Sequence, residues 1–170
     1  MERYRGIEDV PSTRARRMHQ YWLAKKADRA MPSRSDIDPS EIKDLLPNVI
    51  LSRLEYEPFR VLYKLIGTRA VENAGIDYSG RYLDELDFVS EIGTDWPGIY
   101  RTIATEKAPI YGLCQIKFTD GVVKPYVCAM FPLSSDGERV DQVLAIEDLE
   151  LDLLEVERLP ASEVVPPSKG

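Results

Sequence analysis

The sequence predicts an α+β domain built on one antiparallel sheet of five strands, with helices on one face and an N-terminal helix on the other. The order of predicted elements is helix, two strands, three helical pieces and three strands, and short turns within each strand group favour hairpins. Residues 127–131 and 143–146 are apolar at nearly every position, so both faces of their strands need cover.

Length and charge limit the classes of function. A chain of 170 residues suits one domain, and an apolar fraction of 44% supplies a core. The net charge of −7 argues against a nucleic-acid partner. No apolar run approaches the roughly 20 residues of a membrane helix, and the N-terminus lacks a signal peptide. Two cysteines make no disulfide framework. We therefore expect a cytoplasmic protein with no membrane contact.

The charge is divided unevenly along the chain. Residues 1–34 hold nine basic and four acidic side chains, whereas residues 35–170 hold 13 basic and 25 acidic ones. We interpret residues 1–34 as a basic helical extension, residues 35–150 as the main domain, and residues 151–170 as an acidic, proline-containing tail.

The first predicted helix begins after Ser12 or Thr13 and runs to about residue 30. Ala15, Met18 and Trp22 form an apolar stripe at helical spacing, which must dock on the sheet or on a second copy. We therefore predict an association helix, with a homodimer or a partner protein. The alternative is a basic arm for nucleic acid or anionic lipid, which the acidic body disfavours.

A short helix, two strands and then three helical pieces are predicted for the middle of the chain. Asp38 and Pro39 start a short helix, Gly75 ends a second, and Asp95 caps the longest. The helical ranges are 39–46, 68–73, 82–88 and 96–107, and the strand ranges are 48–56 and 59–66.

The last third is rich in strands. Asp120-Gly121 between two apolar runs is a strong hairpin signal, and a second turn follows at residues 134–137. The predicted strands are 109–118, 124–133 and 140–147. The acidic residues 147–157 are interpreted as a solvated face, with a cation site as the alternative, although the run lacks the loop spacing that calcium requires.

This order of elements, with several short motifs, resembles the PAS domain, a small sensory module. The motifs are Leu45-Leu46-Pro47, Tyr63-Lys64-Leu65-Ile66-Gly67-Thr68, Gly75 with Ser79-Gly80-Arg81, and Phe131-Pro132-Leu133-Ser134. They are similar to a group of short stand-alone bacterial PAS proteins over about residues 18–150. The resemblance implies the strand order 2-1-5-4-3 and a pocket between sheet and helices, in which many PAS domains bind a small molecule or cofactor.

Aromatic side chains cluster in the segments that would line such a pocket, a composition typical of small-molecule sites. The predicted pocket residues are Tyr63, Tyr82, Phe88, Trp96, Tyr100, Tyr111, Leu113, Gln115, Tyr126 and Met130. The phase of strand 109–118 is left open, because odd-numbered residues share one face and even-numbered residues the other. A filled aromatic core without a cavity is the alternative.

The cofactor is unknown, but two observations restrict it. His19 is the only histidine and lies before the PAS-like core, which argues against a haem ligated from the core and against zinc sites with several histidines. Flavin photosensors of the PAS type carry their reactive cysteine in a helix motif, whereas both cysteines here lie in predicted strands, so the resemblance does not extend to a cysteine-adduct flavin. No metal site, catalytic triad or glycine-rich phosphate loop is predicted.

Cys114 and Cys128 flank the hairpin turn at positions that place them opposite or diagonal to each other. They are a candidate redox pair, with two inert buried thiols as the alternative.

The sequence thus favours a sensory or regulatory module that binds a small molecule or a partner protein and is not an enzyme. One alternative is a protein–protein adaptor with a filled pocket. The other is a small enzyme that uses a buried carboxylate or tyrosine.

Overall fold

Six strands form a single antiparallel sheet in the computed structural model, which describes residues 1–87, 93–118 and 120–151. The strands are β1 (Glu2–Arg3), β2 (Val49–Tyr56), β3 (Phe59–Ile66), β4 (Ile110–Lys117), β5 (Val123–Leu133) and β6 (Gln142–Asp148). Within these described residues, the α-helices are α1 (Thr13–Lys26), α2 (Thr68–Ala74) and α3 (Trp96–Glu106).

The sheet has the strand order β1-β4-β5-β6-β2-β3. The five predicted strands are β2 to β6, and their order of 2-1-5-4-3 is confirmed. The predicted count of five is wrong by one, because Glu2 and Arg3 add a short strand beside Leu113 and Gly112 of β4. Two residues are too few to show any periodicity in a sequence.

Side-chain caps begin two of the helices where the sequence predicts them. The Ser12 hydroxyl accepts a hydrogen bond from the Ala15 N–H at 3.0 Å, and the Asp95 carboxylate accepts one from the Gly98 N–H at 3.0 Å. Helix α1 ends earlier than predicted, at Lys26, because Ala27 takes a positive φ of 49°.

The segment from residue 34 to residue 48 differs from the prediction. In place of a helix over 39–46, short 3₁₀ turns span Arg34–Asp36, Pro39–Ile42 and Leu46–Asn48. The prolines at 39 and 47 leave only about two turns of uninterrupted backbone, too few for a stable α-helix. Asp38 still caps the middle turn, accepting from the Ser40 N–H at 2.8 Å. The predicted helical piece 82–88, expected to be one or two turns, is a single 3₁₀ turn, Leu83–Glu85, within its described residues.

Helix α1 packs against one face of the sheet. The whole predicted stripe is buried, and Trp22 donates its indole N–H to the Pro132 carbonyl at 2.9 Å. The ring of Trp22 also contacts Phe131, with the ring centres 6.3 Å apart. The stripe therefore docks on the chain's own sheet, one of the two outcomes that the sequence allows.

Ion pairs join the basic N-terminal segment to the acidic body. Arg17 contacts Asp44, Lys25 lies 2.6 Å from Glu41, and Arg29 contacts Asp36 at 2.9 Å. These pairs are largely exposed, so each contributes little to stability, but together they favour the docked position of α1.

A buried carboxylate holds the start of α1 to the end of β6. Asp148 is 1% exposed and accepts hydrogen bonds from the Ser12 hydroxyl at 2.7 Å and from Arg14 at 2.9 Å. Arg14 also reaches Glu150 at 2.7 Å, and Arg69 of α2 contacts the same glutamate. We call Ser12, Arg14 and Asp148 the helix clamp. Asp148 is thus not on the solvated face that the sequence suggests for the acidic run; residues 152–157 lie outside the described part.

Across residues 1–87, 93–118 and 120–151, none of the helices combines the length and apolar character needed to cross a membrane.

Candidate functional site

A cavity of about 80 Å³ lies on the face of the sheet opposite α1. It is enclosed by β2 to β6, α2, α3 and the segment after α2. The lining residues are Ile50, Tyr63, Ala74, Tyr78, Trp96, Tyr100, Ile116, Lys117, Tyr126, Cys128, Met130, Ala145 and Glu147.

Five of the predicted pocket residues line this cavity. They are Tyr63, Trp96, Tyr100, Tyr126 and Met130. Tyr82 does not line it: the Arg60 guanidinium lies over its ring at 3.6 Å, and its hydroxyl donates to Glu55 at 3.3 Å. Phe88 lies outside the described residues.

The prediction that Tyr111, Leu113 and Gln115 line the pocket is wrong, because these residues lie on the other face of β4. Tyr111 points to the α1 side, where its hydroxyl lies 2.6 Å from His19 Nδ1 and its ring contacts Phe131. Leu113 and Gln115 share that face by the alternation of the strand. The sequence leaves this phase open because β4 carries apolar side chains on both of its faces.

Glu147 is the site residue that the sequence analysis misses. It lies on β6 two residues after Ala145, so both side chains face the cavity, while Ile146 and Asp148 face α1. Among the described residues, the Glu147 carboxyl has no hydrogen-bond or ion-pair partner. Glu147 is half-buried and lines the cavity. Burial raises the pKa of Glu147 to about 7.

Hydroxyl groups add polar atoms beside the cavity. The buried Ser52 hydroxyl donates to the hydroxyl of Tyr100, a lining residue, at 3.2 Å. Tyr63 and Tyr78 pack edge to face, with ring centres 4.8 Å apart. Burial is the main cause that raises the pKa values of these three tyrosines, so their hydroxyls stay protonated at neutral pH.

The size of the cavity restricts what it holds. Pockets for drug-sized ligands occupy about 300–1,000 Å³, so a cavity of about 80 Å³ admits only a few waters or a ligand of a few heavy atoms. A flavin ring does not fit without extensive repacking of the tyrosines. Within the described ranges, no cluster of three or more His, Cys, Asp or Glu residues forms a metal site.

Cys114 and Cys128 are free, buried and diagonal to each other. Cys114 pairs with Tyr126 and Cys128 pairs with Gly112, so the two thiols are offset by two residues across β4 and β5. Burial raises the pKa of Cys114 to about 12 and raises the pKa of Cys128 as well. Thiols with raised pKa values form little of the thiolate that reacts.

We expect neither thiol to react in the native protein. With a chromogenic disulfide reagent at pH 8, labelling should proceed only as fast as the chain unfolds, and both thiols should react at once in denaturant. Rapid native labelling, or an intramolecular disulfide formed with mild oxidant, would instead support a redox-responsive pair.

A protein-family comparison matches residues 9–146 to a family model described as "PAS domain". The match includes α1 and ends at Ile146, directly before Glu147. No curated protein matches the chain.

Solved structures with a similar fold share little sequence with this chain. A structure described as "Flavin Analogue Sheds Light on Light-Oxygen-Voltage Domain Mechanism" is 12% identical, with a TM-score of 0.51 over 71% of this chain and 89% of that one. "Structure of an RNA-binding Light-Oxygen-Voltage Receptor" is 12% identical, with a TM-score of 0.50 over 71% of this chain. The match spans only 35% of that receptor's length. At these identities the likeness establishes the fold alone.

Proposed function

Since the chain belongs to the PAS domain family, we propose that it is a sensory module whose cavity beside Glu147 binds a small molecule. The observation that carries the proposal is a largely aromatic cavity that contains a carboxyl group without a partner among the described residues. Four tyrosines, Trp96 and Glu147 line the cavity, and the Glu147 carboxyl has no partner among the described residues.

A carboxyl group in such a position costs stability. Burying it without a hydrogen bond or a counter-charge is unfavourable, and an apolar side chain at residue 147 would fill the space at lower cost. Polar groups that break the packing rules in this way mark functional sites more often than structural ones. A ligand that completes the hydrogen bonds of Glu147 would recover the lost stability on binding.

The adjacent residue suggests how binding is transmitted. Glu147 faces the cavity, whereas Asp148, the next residue of β6, forms the helix clamp with Ser12 and Arg14. A ligand that moves this end of β6 would therefore alter how α1 is held. We propose that output passes from α1 to a partner protein or to a second copy of the chain.

The small volume favours one alternative, an adaptor whose pocket is filled and whose function is protein binding alone. The enzyme alternative has Glu147 as its candidate acid–base group, since its pKa of about 7 suits proton transfer. We propose binding without catalysis, because the neighbouring tyrosines have pKa values too high to exchange protons at neutral pH.

The two tryptophans provide the test, because they lie on opposite faces of the sheet. Trp96 lines the cavity and Trp22 packs under α1. In protein labelled with 5-fluorotryptophan, a ligand from a panel of small polar molecules should move the Trp96 resonance and leave that of Trp22 in place.

A matched pair of variants assigns the response to the cavity. Ala74→Leu fills the cavity wall and should abolish the response, whereas Ala24→Leu makes the same change on the exposed side of α1 and should preserve it. A panel in which no compound moves Trp96 selectively would favour the adaptor.

A further inference from the structure

We propose that the cavity binds a small organic cation that carries N–H groups, with the ionised Glu147 as its counter-charge and the tyrosine rings as its walls. This inference rests on the proposed function and names the chemical class of its ligand. It is carried by the composition of the cavity wall and by the position of Glu147 within it.

The cavity wall contains a negative side chain without a positive partner. Glu147 is the one acidic residue among the described residues that line the cavity, and Lys117 is the one basic residue. Lys117 is an exposed residue at the end of β4, without a hydrogen bond or ion pair to any described residue. No basic side chain of the described residues forms an ion pair or hydrogen bond with the Glu147 carboxyl, and burial raises its pKa. The site therefore lacks a positive group at the carboxyl.

Four tyrosines line the same cavity as Glu147. They are Tyr63, Tyr78, Tyr100 and Tyr126, and they come from β3, the segment after α2, α3 and β5. Aromatic faces attract cations through the negative potential of the ring. A cation bound at Glu147 would thus lie in a cavity whose walls are largely aromatic.

The volume of the cavity limits the size of the ligand. An engineered apolar cavity of about 150 Å³ binds benzene, which has six heavy atoms. The present cavity of about 80 Å³ is roughly half that volume, and so fits a ligand of about three to four heavy atoms. Guanidinium has four heavy atoms, is planar, and presents paired N–H groups that match a carboxylate.

The proposal requires proton linkage. A cation needs the ionised form of Glu147, and burial favours the neutral form of this residue, with a pKa of about 7. The other titratable groups near Glu147 are Tyr63, Tyr78, Tyr100, Tyr126, Cys114 and Cys128, whose pKa values are all raised, and Lys117 at the rim. Because the tyrosines and cysteines stay neutral between pH 6 and pH 8, the pH dependence of binding in this range belongs to Glu147.

Guanidinium and urea form a matched pair of probes, because they have the same planar shape and differ in charge. At a few millimolar and pH 8, guanidinium chloride should move the fluorotryptophan resonance of Trp96 but not that of Trp22, and urea should move neither. The affinity for guanidinium should fall about tenfold from pH 8 to pH 6, following the ionised fraction of Glu147.

Two variants complete the experiment. Glu147→Gln keeps the shape of the side chain and should lower the affinity for guanidinium at least tenfold and remove its pH dependence. Glu138→Gln removes an exposed carboxylate in the turn before β6 and should leave both properties unchanged.

Four results overturn the inference, and they differ in what they leave standing. If urea and guanidinium move Trp96 equally, or if Glu147→Gln binds guanidinium as the wild type does, the ligand is not selected as a cation. If only neutral compounds from the wider panel move Trp96, the cavity is a ligand site of another class and the proposed sensory function stands. If nothing moves Trp96, both proposals fail.

Discussion

Replacing Glu147 with glutamine is expected to stabilise the protein at pH 8 by up to about 3 kcal/mol. Burial raises the pKa of Glu147 from 4.5 to about 7, and a shift of that size corresponds to about 3 kcal/mol of stability lost when the buried group ionises. Glutamine fills the same space without a charge, and so avoids this loss.

The direction of the pH dependence follows from the raised pKa. Below pH 4.5 the carboxyl is protonated in both the folded and the unfolded state, and no stability is lost. As the pH rises from 4.5 to about 7, the unfolded chain loses this proton while the folded chain retains it, so the free energy of unfolding falls, and it levels off once the folded carboxyl also ionises. Urea denaturation at pH 5 and pH 8 should show this fall in the wild type.

Glu147→Gln should remove that fall in the free energy of unfolding. The rest of the pH dependence should remain, including the part due to His19, because burial lowers the pKa of His19. Glu138→Gln, on the exposed turn, is the control and should behave as the wild type does. The free energy of unfolding of the wild type could change between pH 5 and pH 8 by the same amount as that of Glu147→Gln. That result would mean that the carboxyl finds a partner or water in the folded protein.

Trp22→Ala is expected to destabilise the protein by about 3–5 kcal/mol, the usual range for truncation of a large buried aromatic residue. Trp22 is 3% exposed, packs on Phe131 and donates its indole N–H to the Pro132 carbonyl. The substitution removes the ring contact and leaves that buried carbonyl without its donor.

The neighbouring residue is the matched control for this second prediction. Leu23 lies on the same helix with 42% of its surface exposed, so Leu23→Ala should change the free energy of unfolding by less than about 1 kcal/mol. Equal effects of the two substitutions, measured by chemical denaturation, would mean that α1 does not dock through Trp22. A change in molecular mass in solution with Trp22→Ala would show that the residue also holds two copies together.

Local signals in the sequence predict most of the fold. Ser12 and Asp95 cap helices where their side chains predict, and Gly75 ends α2 with a positive φ of 75°. The Asp-Gly pair marks the hairpin between β4 and β5. These features depend on a few neighbouring residues, and so a single sequence reports them.

Features set by long-range packing are predicted less well. The face on which Tyr111 lies depends on which side of β4 receives α1, and strand alternation alone does not decide this. Strand β1 exists only because Glu2 and Arg3 meet an open sheet edge at β4.

The sequence does not single out Glu147 as a site residue, because it begins a run of acidic residues, and such runs are usually solvated. The residues directly before it indicate that it is buried. Residues 143–146 are apolar on both faces, which is typical of a central strand, and the next residues of a central strand stay inside the protein on both faces. Glu147 and Asp148 therefore enter opposite sides of the core, the first in the cavity and the second in the helix clamp.

The most direct test of a ligand site at Glu147 is a titration of its side-chain carboxyl by ¹³C NMR, with and without guanidinium. We expect the carboxyl to titrate with a midpoint near pH 7 in the free protein. The midpoint should be clearly lower when guanidinium is present, because the bound cation favours the ionised carboxylate. A midpoint at the ordinary value for glutamate, or one near pH 7 that guanidinium does not move, would contradict it.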